Sequence, residues 1–229
     1  EINNDFVQNL KCERVFSSEV GYQLETSWLH ANINGFYSRT EDGTEWQNFY
    51  FDDINSFSYV SLSNIKKAYY GVEMGLNFKI SSTFNIKAIG TWSDAKNMSN
   101  SKVRYMNSTK GTYTDDICMD KGMRESGTPL SAYSLGLSYH AGGWYIDLNS
   151  NYYQRIYLSY SLYYRYQGVL TTMSSVDNNG NYIVSPQDKG NGGVMFDTSI
   201  GKNINLKKGS LSINLTVNNL LNNIFYLLT

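Results

Sequence analysis

The side chains able to do chemistry are few in this sequence, and they are scattered. His30 and His140 stand alone inside alternating stretches, where each reads as an ordinary polar strand residue. Cys12 and Cys118 have no CxxC-type spacing. A disulfide between them needs an oxidising compartment, and two unrelated thiols is the simpler reading. Asp115-Asp116 with Asp120 offers the oxygen ligands that Ca²⁺ takes, although a solvated acidic loop explains the same residues. Asp52-Asp53 lies beside Trp46, Phe49, Tyr50 and Phe51. Ring faces next to carboxylates could grip a sugar or a chelate, with plain loop packing as the rival. Asp147 and Arg155 fall on the polar side of an alternating run, where they could line a watery interior and touch a ligand. Trp46, Tyr50, Asp52, Asp53, Asp147 and Arg155 are therefore the ligand-contact candidates. HExxH, GxSxG, GxGxxG and P-loop patterns do not occur. The sequence thus predicts no enzyme, no catalytic residue, no metal site and no cofactor.

The elements that would position these residues are strands. With 20 Tyr, 10 Phe and 4 Trp, the 229 residues are 15% aromatic but only 17% charged, a balance suited to many strands and turns. The net charge of −1 gives no reason to expect a nucleic-acid partner, whose phosphates favour a basic excess. A helix crossing lipid needs about 20 apolar residues. The longest uncharged run, 126–146, is broken by Pro129, Gly142-Gly143 and several Ser. The chain opens at Glu1 without an initiator Met or a leader pattern, which suggests a removed leader or an internal fragment.

Period-2 alternation recurs along the chain. Phe16, Val20, Tyr22 and Leu24 share a face, and after a break at Glu25-Thr26-Ser27 so do Leu29, Ala31, Ile33, Gly35 and Tyr37. Ala68, Tyr70, Val72, Met74, Leu76 and Phe78 precede a turn at Ser81-Ser82-Thr83 and the set Phe84, Ile86, Ala88, Gly90 and Trp92. Tyr133, Leu135, Leu137 and Tyr139 precede Gly142-Gly143, then Trp144, Ile146, Leu148 and Tyr152. Val194, Phe196, Thr198 and Ile200 precede Lys207-Lys208-Gly209, then Leu211, Ile213, Leu215 and Val217. Eight strands in four hairpins follow, joined by long segments near 42–62, 98–129 and 159–192, with Asn179-Gly180 as a tight turn at the tip of a β-ribbon in the last.

Alternation alone also fits a soluble sheet with one wet face. Strand length, short turns at one end with long loops at the other, and aromatics near strand ends point instead to a transmembrane β-barrel. Arg39, Lys66 and Asp94 fall on the apolar face only at strand ends, whereas Lys202 needs either snorkelling or a bulge. The expected fold is all-β: an antiparallel up-and-down transmembrane barrel, present as an incomplete segment of about eight strands.

Several segments carry a family resemblance. They are Ser18-Glu19-Val20-Gly21-Tyr22, Asn64-Ile65-Lys66-Lys67-Ala68 leading to Gly71-Val72-Glu73, and Gly127-Thr128-Pro129. Gly143-Trp144-Tyr145-Ile146-Asp147-Leu148-Asn149 continues to Asn151-Tyr152-Tyr153, and Asn218-Asn219-Leu220-Leu221-Asn222-Asn223 lies near the end. In order and spacing these resemble the barrel of TonB-dependent outer-membrane receptors, particularly the Bacteroidetes type. The resemblance implies a bacterial outer-membrane barrel of about 22 strands around an N-terminal plug. It implies uptake of a bulky nutrient such as a siderophore, cobalamin or glycan, coupled to the TonB complex through an N-terminal part. Residues 1–229 would then be a barrel fragment lacking the plug domain and the last strand pair. Its partners would be outer-membrane lipid, that plug, the TonB complex and the nutrient. The rivals are a complete eight-stranded barrel acting as anchor or adhesin, and a soluble carbohydrate-binding β-sandwich.

Overall fold

The structure, a computed structural model, describes residues 10–51, 56–107 and 112–223; of these, the side chains of 48–51, 56–59, 106, 107 and 112 are not described. Four hairpins form as the alternation predicts. They are β1 (Arg14–Glu25) with β2 (Leu29–Phe51), β3 (Ser56–Lys79) with β4 (Phe84–Asn97), β7 (Pro129–Ala141) with β8 (Trp144–Ile156), and β9 (Gly193–Leu206) with β10 (Gly209–Val217). Every neighbouring pair is antiparallel, in the order β1-β2-β3-β4-β7-β8-β9-β10. Among the described residues β1 and β10 do not meet, so the sheet is an open segment of a barrel wall.

Register turns the alternation into two continuous faces. Directly opposed residues share a face, and Val20↔Gly35, Gly35↔Val72, Val72↔Trp92 carry one apolar row across four strands. Leu137↔Leu148, Ile146↔Ile200 and Ile200↔Leu215 continue the same face to the far edge. Asn34↔Glu73, Asn77↔Lys87, Asn149↔Asp197 and Ser199↔Thr216 make up the other. Among the described residues no second layer covers the apolar face: Val20 is 76% exposed and Leu215 66%, and Ile33, Val72, Leu135 and Leu148 are exposed as well. A soluble sandwich would bury these side chains against a second sheet. Lys202 sits between Trp144 and Ile213 with no break in register, so snorkelling wins over a bulge. Its Nζ donates to the Gly142 carbonyl at 2.8 Å and lies 4.7 Å from the Trp144 ring centre, at the turn end.

Aromatic rings bracket the apolar face. Phe84 and Trp144 begin their strands at the turn end. Trp92 and Tyr152 lie eight residues further on, about 26 Å of extended chain. Tyr133 stacks on Tyr152 at the upper level, with ring centres 6.2 Å apart. That span is what a tilted strand needs to cross hydrocarbon.

The long connecting segments are more ordered than the alternation suggested. Most of 42–62 is strand, because β2 and β3 run to 23 and 24 residues and pair beyond the apolar band. Register shifts around Gly43 separate wall from extension; Asp42 and Asn64 adopt left-handed backbone there, which Asp and Asn tolerate better than most residues. The 98–129 segment contains a further hairpin, β5 (Ser101–Asn107) and β6 (Thr112–Cys118), with β5 pairing to β3. Among the described residues the wall thus has the eight expected strands, and β5 and β6 add two outside it. The 159–192 segment carries a 3₁₀ turn, Tyr163–Arg165, and one short helix, α1 (Gln167–Thr172). Asn179-Gly180 is a tight turn as expected, held by the Asp177 carboxylate, but in place of the expected β-ribbon there is a single bridge, Val176↔Tyr182. The buried core lies at this loop end: Val60, Leu62, Ile65, Val103, Cys118, Leu162 and Tyr166 pack together.

Candidate functional site

Two neighbouring features at the loop end form a polar hollow on the polar face. Lys67 and Asn97 come from the upper ends of β3 and β4, and Glu45 from the β2 extension. Segment 123–125 runs antiparallel beside β4, with Asn97 N–H donating to the Met123 carbonyl and Glu125 N–H to that of Ala95. This places Glu125 over Lys67. The Lys67 ammonium bonds Glu45 at 2.5 Å and approaches Glu125 at 3.7 Å. Tyr160, from the 159–192 segment, completes a hollow of about 120 Å³.

Asp120 is the most constrained group here, at 2% exposure. Its carboxylate accepts the Ser101 N–H at 2.8 Å, the Ser101 hydroxyl at 2.6 Å and the Asn97 amide at 3.0 Å. Burial pushes its carboxyl above the usual carboxylate range, and the Ser101 donors oppose that rise. Burial likewise pushes the Tyr160 phenol up, so it stays neutral, and its oxygen accepts the Asn97 amide at 3.4 Å.

Tyrosines hold the loops in place. Tyr166 stacks on Tyr105 of β5 with ring centres 5.1 Å apart, and Tyr163 meets Tyr166 edge-on at 6.0 Å. Buried Arg165 donates to the Ser185 carbonyl at 2.7 Å and lies over Tyr160 at 4.7 Å, tying the 3₁₀ turn to the returning chain. A second hollow of about 350 Å³, lined by Tyr164, Leu170, Met173 and Ile183 among others, opens beneath that crossing. The chemistry available is hydrogen bonding, charge pairing and ring stacking. These suit recognition of a ligand.

Of the six residues singled out by sequence, the three with described side chains, Trp46, Asp147 and Arg155, do not gather. Trp46 lies in the β2 extension, 66% exposed, opposite Ser61. The Tyr50 backbone pairs with Phe57 and its side chain is not described, while Asp52 and Asp53 lie outside the described residues. Asp147 is on the polar face near the turn end, opposite Ser138 and Ser199 and 3.8 Å from His140. Arg155 is eight residues further along β8, about 26 Å away in extended chain. Alternation put Arg155 on the polar face, but its left-handed backbone (φ +59°) turns it to the other side. There it lies 5.0 Å from the Trp92 ring centre and donates to the Ser93 carbonyl at 2.7 Å. Glu45, Lys67, Tyr160 and Arg165 were missed, and Asp120 was singled out only as an oxygen ligand for Ca²⁺. The density of Tyr in the long segments was the one signal for them.

Asp115, Asp116 and Asp120 do not converge on a cation. Asp115 takes a bidentate Arg104 at 2.7 and 2.9 Å, Asp116 accepts the Gly168 N–H at 3.0 Å, and Asp120 faces Ser101. Among the described residues no three His, Cys, Asp or Glu side chains group as metal ligands. Cys12 and Cys118 are unpaired, Cys12 exposed and Cys118 buried. Burial pushes the Cys118 thiol up, which starves it of reactive thiolate. A maleimide reagent is expected to label Cys12 on the folded protein and Cys118 only after denaturation. Labelling of both at equal rates would contradict the packing of Cys118.

Comparison with known proteins places this geometry. The family model described as TonB dependent receptor-like, beta-barrel matches residues 2–220. No curated protein matches the chain by sequence. Among solved structures, the copper transporter OprC superposes on 96% of the chain with a TM-score of 0.62 at 16% identity. The FrpB iron transporter from Neisseria meningitidis (F3-3 variant) superposes on 96% with a TM-score of 0.57 at 17% identity. At such identities the likeness is one of fold. The chain spans 28% and 29% of those two proteins.

Proposed function

Because the chain belongs to the TonB dependent receptor-like β-barrel family, we propose that it is part of a bacterial outer-membrane receptor for TonB-coupled uptake of a bulky nutrient. Residues 1–229 would be a fragment of a larger barrel whose plug domain and last strand pair lie elsewhere in the protein. The observation that carries this reading is the pairing of faces. Among the described residues one bare apolar face crosses eight wall strands between two aromatic levels, and the opposite face is polar and roofed by folded loops at one end. In such barrels the long loops are extracellular and the short turns periplasmic. The hollow around Lys67, Asp120 and Tyr160 would then face the incoming ligand, while Asp147 and the Asn-rich lower lumen would face the plug. The open β1 and β10 edges disfavour the small closed barrel, since an eight-stranded barrel would have to pair them.

The test uses the whole receptor in cells. Radiolabelled ferric siderophore, radiolabelled cobalamin and a labelled oligosaccharide are offered separately. One of the three is expected to accumulate, and to fall to background when TonB is removed or when residues 157–192 are replaced by a short turn. Accumulation indifferent to TonB, or of none of the three, would overturn the proposal.

A further inference from the structure

Just above the apolar face at the loop end, cations fall into a row. Arg39 opposes Ala68, Ala68 opposes Lys96, and Lys96 bridges to Arg124. With strands about 4.8 Å apart, Arg39 and Lys96 flank Ala68 within about 10 Å. Lys66 lies two residues beyond Ala68 on the same face of β3. One carboxylate, Asp94, is shared between Arg124 at 2.7 Å and Arg155 at 3.5 Å, and a second, Glu41, between Arg39 and Arg14, which also meets Asp42 at 2.7 Å. Neither Lys66 nor Lys96 has an ion-pair partner among the described residues. Six cations thus share three carboxylates, leaving the rim positive. Lys96 lies 5.5 Å from the Tyr70 ring centre and Arg155 5.0 Å from that of Trp92, which fixes both charges at the aromatic level.

Directly below is a groove of about 410 Å³, walled by Val20, Tyr37, Tyr70, Val72 and Trp92 and floored by Gly35. Backbone geometry does not demand glycine at this position. A Cβ on Gly35 would meet nothing nearer than 4.0 Å, whereas one on Gly75 would collide with Asn32 and one on Gly21 with Asn34. The missing side chain keeps the groove empty. A shallow apolar groove thus lies below a cluster of cations, with two phenols and an indole in its wall.

We infer that this patch of the outer wall, on β1 to β4, is a docking site for a phosphate-bearing anionic lipid of the surrounding leaflet. An acyl chain lies over Gly35, and the phosphate takes hydrogen bonds and charge from Lys96, Lys66 and Arg39. The inference rests on the reading that the apolar face meets membrane. Scattered rim charges would attract an anionic surface loosely; a row in register over a matched groove selects one lipid at one place.

The test is native mass spectrometry of the whole receptor in detergent micelles, titrated separately with phosphatidylglycerol and with zwitterionic phosphatidylcholine. Phosphatidylglycerol is expected to stay bound at activation energies that strip phosphatidylcholine, and inorganic phosphate at equal concentration is expected not to displace it. Lys66→Gln with Lys96→Gln should abolish the difference between the two lipids, and Gly35→Leu should weaken retention of both. Each variant is checked for the shift in gel mobility on heating that marks a folded barrel. Should Gly35→Leu fail that check, the double lysine variant alone decides. Equal retention of both lipids by the parent protein, or an unchanged preference in the lysine variant, would overturn the inference. Failure of the parent to enter micelles as a folded barrel would instead count against the membrane reading beneath it.

Discussion

Leu135→Arg is expected to destabilise the assembled receptor by about 2–4 kcal/mol, the cost of a guanidinium at mid-membrane on the lipid side of a barrel. Leu135 stands at the centre of β7, six residues from either end, between Ala88 and Ser150 on the apolar face. Six residues are about 20 Å of strand, beyond the reach of an arginine toward water. Lys202 shows the contrast, since it lies beside the turn and finds the Gly142 carbonyl. Leu211→Arg, two residues from the start of β10, should accordingly cost about 0–1 kcal/mol. Urea unfolding of the whole protein in lipid vesicles measures both. Depth dependence is the signature, because water against this face would leave the two substitutions alike and nearly free.

Asp120→Leu is expected to lower the local stability of the 97–120 region by about 3–5 kcal/mol. The substitution leaves the Ser101 N–H, its hydroxyl and the Asn97 amide without their shared acceptor in a buried site. The wall should persist, since the lost bonds lie at the loop end, so amide exchange rather than global unfolding is the measurement. Acceleration confined to residues near 97–120 is expected, and an unchanged exchange pattern would refute the role given to Asp120. The carboxyl also carries a pH signature. Its folded pKa is raised chiefly by burial, so the folded loop holds the proton more tightly than the unfolded chain does. The stabilisation this provides is complete below the unfolded value of about 3.9 and is lost as pH rises through the elevated folded value. Loop opening should therefore become easier across that interval, and Asp120→Asn should flatten the dependence.

How much of this was legible differs from element to element. Each wall hairpin could be read because a strand with one face in lipid and one in water must alternate, and the turns Gly142-Gly143 and Lys207-Lys208-Gly209 punctuate that alternation. The β5–β6 hairpin could not. Ser101–Asn107 and Thr112–Cys118 are seven residues each and mostly polar, and their pairing is held by backbone bonds that leave no periodic apolar trace. The upper halves of β2 and β3 were hidden for the same reason: once the ribbon leaves the membrane, neither face is required to be apolar.

The site shows the same division. The sequence by itself determined which face of every wall strand is apolar, where the short turns fall and which aromatics bracket the band, because all of these depend on residue spacing within one strand. Tertiary structure alone decided that Asp120 is buried, since its donors are 19 and 23 residues away. It alone turned Arg155 onto the Trp92 side through a left-handed backbone, and aligned Arg39, Lys96 and Arg124 across separate elements. A burial, a backbone inversion and a cross-strand register are each set by the free energy of bringing distant residues together, and that energy leaves no mark on local spacing.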